Sequence, residues 1–147
     1  MVRDIFGCNP LICAVKAKAM PCVEAIKNAG GAIDAATYKI GVDLCLAAAR
    51  GDIDQLKCFL AAGADMNERD YSGKTALHLV SSAVIKISVV EAVAYDHKKC
   101  VEFLINCGLD PEVMNDCGIT PSSEACKKER QSDTFCTNLY FIFSPWQ

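Results

Sequence analysis

Residues 44–60 read LCLAAARGDIDQLKCFL, and residues 61–78 continue AAGADMNERDYSGKTALH. Ala47, Ala48 and Ala49 give a first helix thin enough to lie against neighbours, and Gly51-Asp52 breaks it. Leu56, Phe59 and Leu60 then supply the apolar face of a second helix at helical spacing. Gly63 follows that helix where a left-handed cap is wanted, and Asp70 to Gly73 carries the Asp and Gly that a tight turn uses. The stretch therefore predicts helix, break, helix and turn, a unit of the kind that repeats.

Working outward, the chain matches itself at an offset of 33 residues. Leu11 pairs with Leu44 and Leu77, Ala14 with Ala47, Val23 with Leu56, Ile26 with Phe59, and Gly30 with Gly63. A first unit over about 9–41 has Pro10 at a helix start, where its missing N–H costs nothing, but 35–43 lacks the Asp-x-x-Gly turn. The second unit is 42–74. The third, 75–119, resumes clearly at His97, yet Thr75 and Thr120 stand 45 residues apart, a surplus of 12 over the period. That surplus is placed at 83–94, AVIKISVVEAVA, whose apolar, β-branched character suits an extended helix or an added strand better than a solvated loop. Residues 120–130 read as a partial polar cap, with Ser122 where the period wants Leu, and 131–147 form an aromatic tail outside the period. The repeat-bearing domain is thus expected over 7–130.

The blocks Gly63-Ala64-Asp65-Met66-Asn67 and Asp70-Tyr71-Ser72-Gly73-Lys74-Thr75-Ala76-Leu77-His78 resemble the G-A-D-x-N and D-x-x-G-x-T-P-L-H signatures of the ankyrin-repeat family, with Ala76 in place of Pro. The resemblance implies an all-α fold, a helical solenoid of about three to four helix-turn-helix repeats joined by β-turn or hairpin connectors. It also implies that Thr75 and His78 hydrogen-bond locally to stiffen their repeat, that Gly63 and Gly73 are structural, and that His97 matches a structural histidine of the repeat. Ankyrin proteins bind partners through turn tips and the exposed face of the inner helices. The matching positions are Glu68, Arg69, Tyr71, Ser72 and Lys74 at one tip, and Asn115, Asp116 and Ile119 at the next.

A finer resemblance covers Ile40 to His78, which is similar to the ankyrin segment behind the catalytic domain of the large type I L-asparaginase and lysophospholipase-like proteins. Glutaminases carry a similar tail. The threonine-nucleophile motifs of those asparaginases, T-G-G-T and H-G-T-D, do not occur in this chain. Two functions follow: a protein-binding scaffold or regulatory module without catalysis of its own, or a detached regulatory portion of an amidohydrolase. The implied partner is another protein, or a catalytic domain outside this chain.

Composition narrows the classes further. The 147 residues suffice for one ordinary domain, 52% are hydrophobic and 22% charged, and only 7% are aromatic. The net charge of −3 comes from 15 basic and 18 acidic residues without long single-sign runs, which argues against nucleic acid or an anionic membrane as partner. Leu11 to Val15 is too short, and too soon followed by Lys16 and Lys18, for a secretory core, so a cytoplasmic location is expected. The ten cysteines then read as reduced, with Cys13, Cys45, Cys58 and Cys100 as small buried hydrophobes. No Cys-x-x-Cys occurs, and His78 and His97 are the only histidines, so neither a metal site nor a cofactor is expected. Gly73-Lys74-Thr75 lacks the upstream glycine of a phosphate loop, because the position holds Glu68. His97 and Cys100 share a helix face, but no third group orients them as a catalytic pair.

Overall fold

A computed structural model describes residues 8–33, 39–86 and 91–123. These form helices α1 (Pro10–Lys16), α2 (Met20–Asn28), α3 (Ile40–Arg50), α4 (Ile53–Ala61), α5 (Ala76–Lys86) and α6 (Glu91–Asn106), and residues 121–123 are helical as well. No strand occurs among the described residues. The cap at 120–130 is described only to Ser123, and the tail at 131–147 lies outside the described residues.

Local chemistry sets the helix ends. Asn9 caps α1 by accepting the Ile12 N–H at 2.9 Å, with Pro10 directly inside the start. Asp52 caps α4 through the Gln55 N–H. Each second helix stops in the same way. Gly30, Gly63 and Gly108 all have φ between 82° and 92°, and their N–H groups return to the carbonyls of Lys27, Leu60 and Ile105. A left-handed residue there satisfies carbonyls the helix would otherwise orphan, and glycine adopts it without steric cost. Lys18 stands where the period places Gly51 and takes the left-handed conformation too, at φ 55°. Its ammonium pairs with Asp52 of the following repeat.

The helices stack in two layers. α3 lies along α5, while α2, α4 and α6 pack in succession behind them. Leu11, Leu44 and Leu77 occupy equivalent places and are fully buried, as are Val23, Leu56 and Val101, and Phe59 and Leu104. The alanines of α3 make the close approach possible, since Ala47 and Ala48 are wholly enclosed. Removing one such leucine side chain would cost about 2–5 kcal/mol.

Two expectations about this core are corrected. Leu60 is 44% exposed, because it lies about 100° around the helix from Phe59 and only the Leu56–Phe59 side faces the stack. Cys13 is also exposed, because it shares its repeat position with Leu46, which points away from the second layer. Cys45, Cys58 and Cys100 are buried.

The surplus of the third repeat is largely taken up as helix. Compared with α3 and α4, α5 runs three residues further at its end and α6 begins seven residues earlier. The remaining two surplus positions fall within 87–90, outside the described residues.

Ser81 is the one buried side-chain oxygen without a hydrogen-bond partner among the described residues. Its equivalents are Ala48 and Val15, both buried and apolar. An unsatisfied buried hydroxyl costs about 1–3 kcal/mol, so Ser81→Ala should raise stability by about 1 kcal/mol and the melting temperature by a few degrees. Thermal unfolding followed by circular dichroism checks this; a lower midpoint would show that the hydroxyl is satisfied in solution.

Candidate functional site

The two best-defined turns are built on one pattern. Asp70 Oδ1 accepts the backbone N–H of Ser72 at 2.8 Å and of Lys74 at 3.0 Å, together with the Ser72 hydroxyl at 2.8 Å. Forty-five residues later Asn115 Oδ1 accepts the N–H groups of Cys117 at 2.9 Å and Ile119 at 3.0 Å. The backbones agree as well, since Asp70 N–H donates to Lys74 O and Asn115 N–H to Ile119 O, both at 2.9 Å. A short side-chain oxygen two and four residues before its donors closes a turn of this kind, which is why Asp and Asn serve equally.

Neighbouring turns are stitched together. Arg69 Nη1 donates to Gly73 O at 3.2 Å and, across the repeat boundary, to Met114 O at 2.7 Å. Asp116 N–H donates to Ser72 O at 3.3 Å. Gly41, at the start of α3, backs directly onto the Arg69 backbone, where a β-carbon would overlap the carbonyl group.

Beneath the turns, two side chains do one job in successive repeats. Thr75 N–H donates to His78 Nδ1 at 3.1 Å, which places the ring proton on Nε2, and Nε2 donates to Ile119 O at 2.8 Å. Cys45 stands 33 residues before His78, and its thiol donates to Lys74 O at 3.4 Å. Lys74 and Ile119 are themselves equivalent turn residues, so thiol and imidazole reach the same carbonyl, in the turn that closes their own unit. His97 works lower in the stack, where its Nε2 donates to Ala49 O at 3.0 Å and its ring lies against Gly51.

The candidate binding residues fall into two groups. Arg69, Tyr71, Ser72 and Asp116 are exposed at the tips, with Glu68, Lys74 and Ile119 half-buried beside them. Asn115 is buried, its oxygen consumed by its own turn. Sequence reasoning did not single out Leu46, 51% exposed on α3, or Met114, 62% exposed at the second tip. Leu46 repeats at Cys13 and half-buried Leu79, so the period held the signal for this stripe. Tyr71 is 78% exposed, with the Lys39 ammonium 5.4 Å from its ring centroid. Among the described residues no group of three or more His, Cys, Asp or Glu side chains is arranged to hold a metal ion. No described helix is long and apolar enough to cross a membrane.

Comparison with known families decides what these turns and helix pairs are. Family models for "Ankyrin repeats (many copies)" and "Ankyrin repeat" match residues 44–83 and 72–116. Residues 44–116 are ankyrin repeats. It is 36% identical over 130 residues to an L-asparaginase of Dirofilaria immitis, covering 88% of this chain and 20% of that protein. It is also 36% identical over 84 residues to the putative ankyrin repeat protein YahD of Escherichia coli, covering 57% of this chain and 36% of the relative. The mouse liver-isoform mitochondrial glutaminase is 34% identical over 88 residues, 59% of this chain and 13% of the enzyme. The chain thus spans at most 36% of the length of any of these three, and only 20% of the L-asparaginase.

Within the ankyrin stack the thiols divide sharply. Burial, reinforced by nearby Asp70 for Cys45 and by Asp52, Asp96 and Asp54 for Cys100, pushes both thiols up to about 12. Because the thiolate is the reacting form, brief alkylation of the folded protein should label Cys13, Cys22 and Cys117 and spare Cys45 and Cys100. Peptide mass mapping reads the pattern, and early label on Cys100 would contradict the packing of α6.

Asp70 gives the ankyrin turn a pH dependence. Its partial burial disfavours charge, but the bonds from Ser72 and Lys74 outweigh it and hold the carboxyl below its ordinary value. A depressed folded pKa means the contribution is present above the ordinary carboxylate value of about 4 and lost as pH falls through the lower one. Melting temperatures of wild type and Asp70→Asn measured from neutral to acidic pH should therefore converge at the acid end. A constant gap would show that the charge is irrelevant to the turn.

Proposed function

We propose that this chain is a protein-binding ankyrin module that presents one continuous surface, formed by the turn tips at Arg69, Tyr71, Ser72 and Met114 and by the outward face of α3 and α5 at Leu46 and Leu79. The observation that carries this reading is the placement of Leu46, Tyr71 and Met114, large apolar side chains held in water by α3 and by the two hydrogen-bonded turns. Side chains exposed in this way favour association, and aromatic and apolar anchors of this size supply most of the energy at interfaces. Asn115 supports the surface from within rather than joining it.

The chain performs no hydrolysis of its own on this reading. Thr75 Oγ1 lies 3.0 Å from His78 Nδ1, which has the outline of a nucleophile and base, but both residues are buried. The imidazole is already committed to Thr75 N–H and Ile119 O, and a nucleophile needs both a free base and access to substrate. The similarity to the L-asparaginase over 88% of this chain favours a second, compatible role, that of a regulatory portion acting on an amidohydrolase domain.

Both parts are tested on one preparation. Leu46→Asp combined with Tyr71→Ala should abolish capture of a stoichiometric partner protein while the circular dichroism spectrum stays helical. The purified wild-type chain should release no ammonia from asparagine or glutamine. Capture indifferent to the double variant would move the surface elsewhere, and turnover lost on His78→Ala would end the non-catalytic reading.

A further inference from the structure

Each of the three apolar anchors carries a cation at its side. Arg50 folds back along α3 so that its Nε donates to Leu46 O at 3.3 Å. Lys39 stands over the Tyr71 ring, and Arg69 is bonded to the Met114 carbonyl. Lys39, Val42, Leu46 and Arg50 succeed one another at spacings of three, four and four residues and so share one side of α3. Because Gly41 backs onto Arg69, the start of that helix and the tip holding Arg69 and Tyr71 form one surface.

Lys39, Arg50 and Arg69 make no ion pair with a carboxylate among the described residues, whereas Lys16 pairs with Asp43 and Lys18 with Asp52. The three cations meet only carbonyl oxygens or a ring face, so their charge is directed but not neutralised. The acids of the same tips are placed differently. Asp70 spends its carboxylate on three donors of its own turn, Glu68 is half-buried, and Asp116 is seated against Gly73.

We infer that this surface takes a linear acidic segment of a partner protein in which Asp or Glu residues alternate with large apolar ones. The inference rests on the protein-binding reading above and adds the partner's chemistry. Apolar side chains of the segment cover Leu46, Tyr71 and Met114, and its carboxylates reach Lys39, Arg50 and Arg69 with charge-assisted bonds. The net charge of −3 over the whole chain repels such a segment elsewhere, which concentrates binding on this face. That same net charge disfavours the phosphate backbone of a nucleic acid.

The test is selection of random displayed peptides on the full chain, followed by fluorescence anisotropy with the strongest selected peptide as probe. Selected sequences should be acidic with interleaved Leu, Phe or Trp, and affinity should fall with rising salt. Lys39→Glu with Arg50→Glu, neither of whose side chains hydrogen-bonds one repeat to another, should weaken binding about tenfold or more with the helical spectrum intact. Leu46→Asp should weaken it too. Neutral or basic selected peptides, or affinity unmoved by the charge reversal, would overturn the acidic-segment inference while leaving a protein-binding module. Peptides blocked by neither Leu46→Asp nor the charge reversal, or no binder at all, would defeat the binding surface itself. Tighter binding of a single-stranded oligonucleotide, or charge-dependent self-association in sedimentation, would replace the peptide with those occupants.

Discussion

One hydrogen bond, repeated, sets the register of the stack: a donor buried on the first helix of a unit reaches a carbonyl of the turn that leads into the next unit. His78 Nε2 supplies it to Ile119, and the Cys45 thiol supplies it to Lys74. The turn carbonyl is available only because the Asp70 or Asn115 oxygen has already closed the loop around it. The exposed tip residues in turn inherit their positions from those loops. Helix packing alone would leave adjacent units free to slide, since Leu, Val and Ala surfaces are chemically alike along the layer. A directional polar bond with a buried donor does not permit that freedom.

The two donors are unequal. An imidazole N–H at 2.8 Å is a stronger link than a thiol at 3.4 Å, and a thiol is a weak donor at any distance. The junction at Lys74 is accordingly held by other means as well, including the fit of Gly41 against Arg69 and the close packing of α3 on α5. The junction at Ile119 has no such redundancy within the described residues beyond the Arg69 and Asp116 contacts to the neighbouring turn.

Much of this was legible in the sequence because its determinants are local. Asp70 to Gly73 specifies a turn, Gly63 ends a helix, and the 33-residue offset aligns Leu11, Leu44 and Leu77 before any coordinates are seen. What was not legible depends on direction rather than identity. Leu60 and Cys13 look like core residues by type, and only the orientation of their helices puts them in water. Asn115 looks like a surface residue by type, yet its oxygen is needed inside the turn. Residues 83–94 are rich in Val and Ile, which by propensity suit strand as well as helix, and those described, 83–86 and 91–94, are helical as ends of α5 and α6. The anchors Leu46 and Met114 went unnoticed because a lone exposed apolar residue is ordinary until its position beside a second one is known.

The early start of α6 gives the stack a property that identical repeats lack. Seven additional helical residues at about 1.5 Å each carry its beginning about 10 Å beyond the end set by α4. In an array of interchangeable units, a folding chain can dock one unit in its neighbour's berth and still satisfy most contacts. A second helix of 16 residues, against nine in α2 and α4, does not match those berths in length. The third repeat is thereby distinguished from the others by length as well as by sequence, a mark that interchangeable units lack.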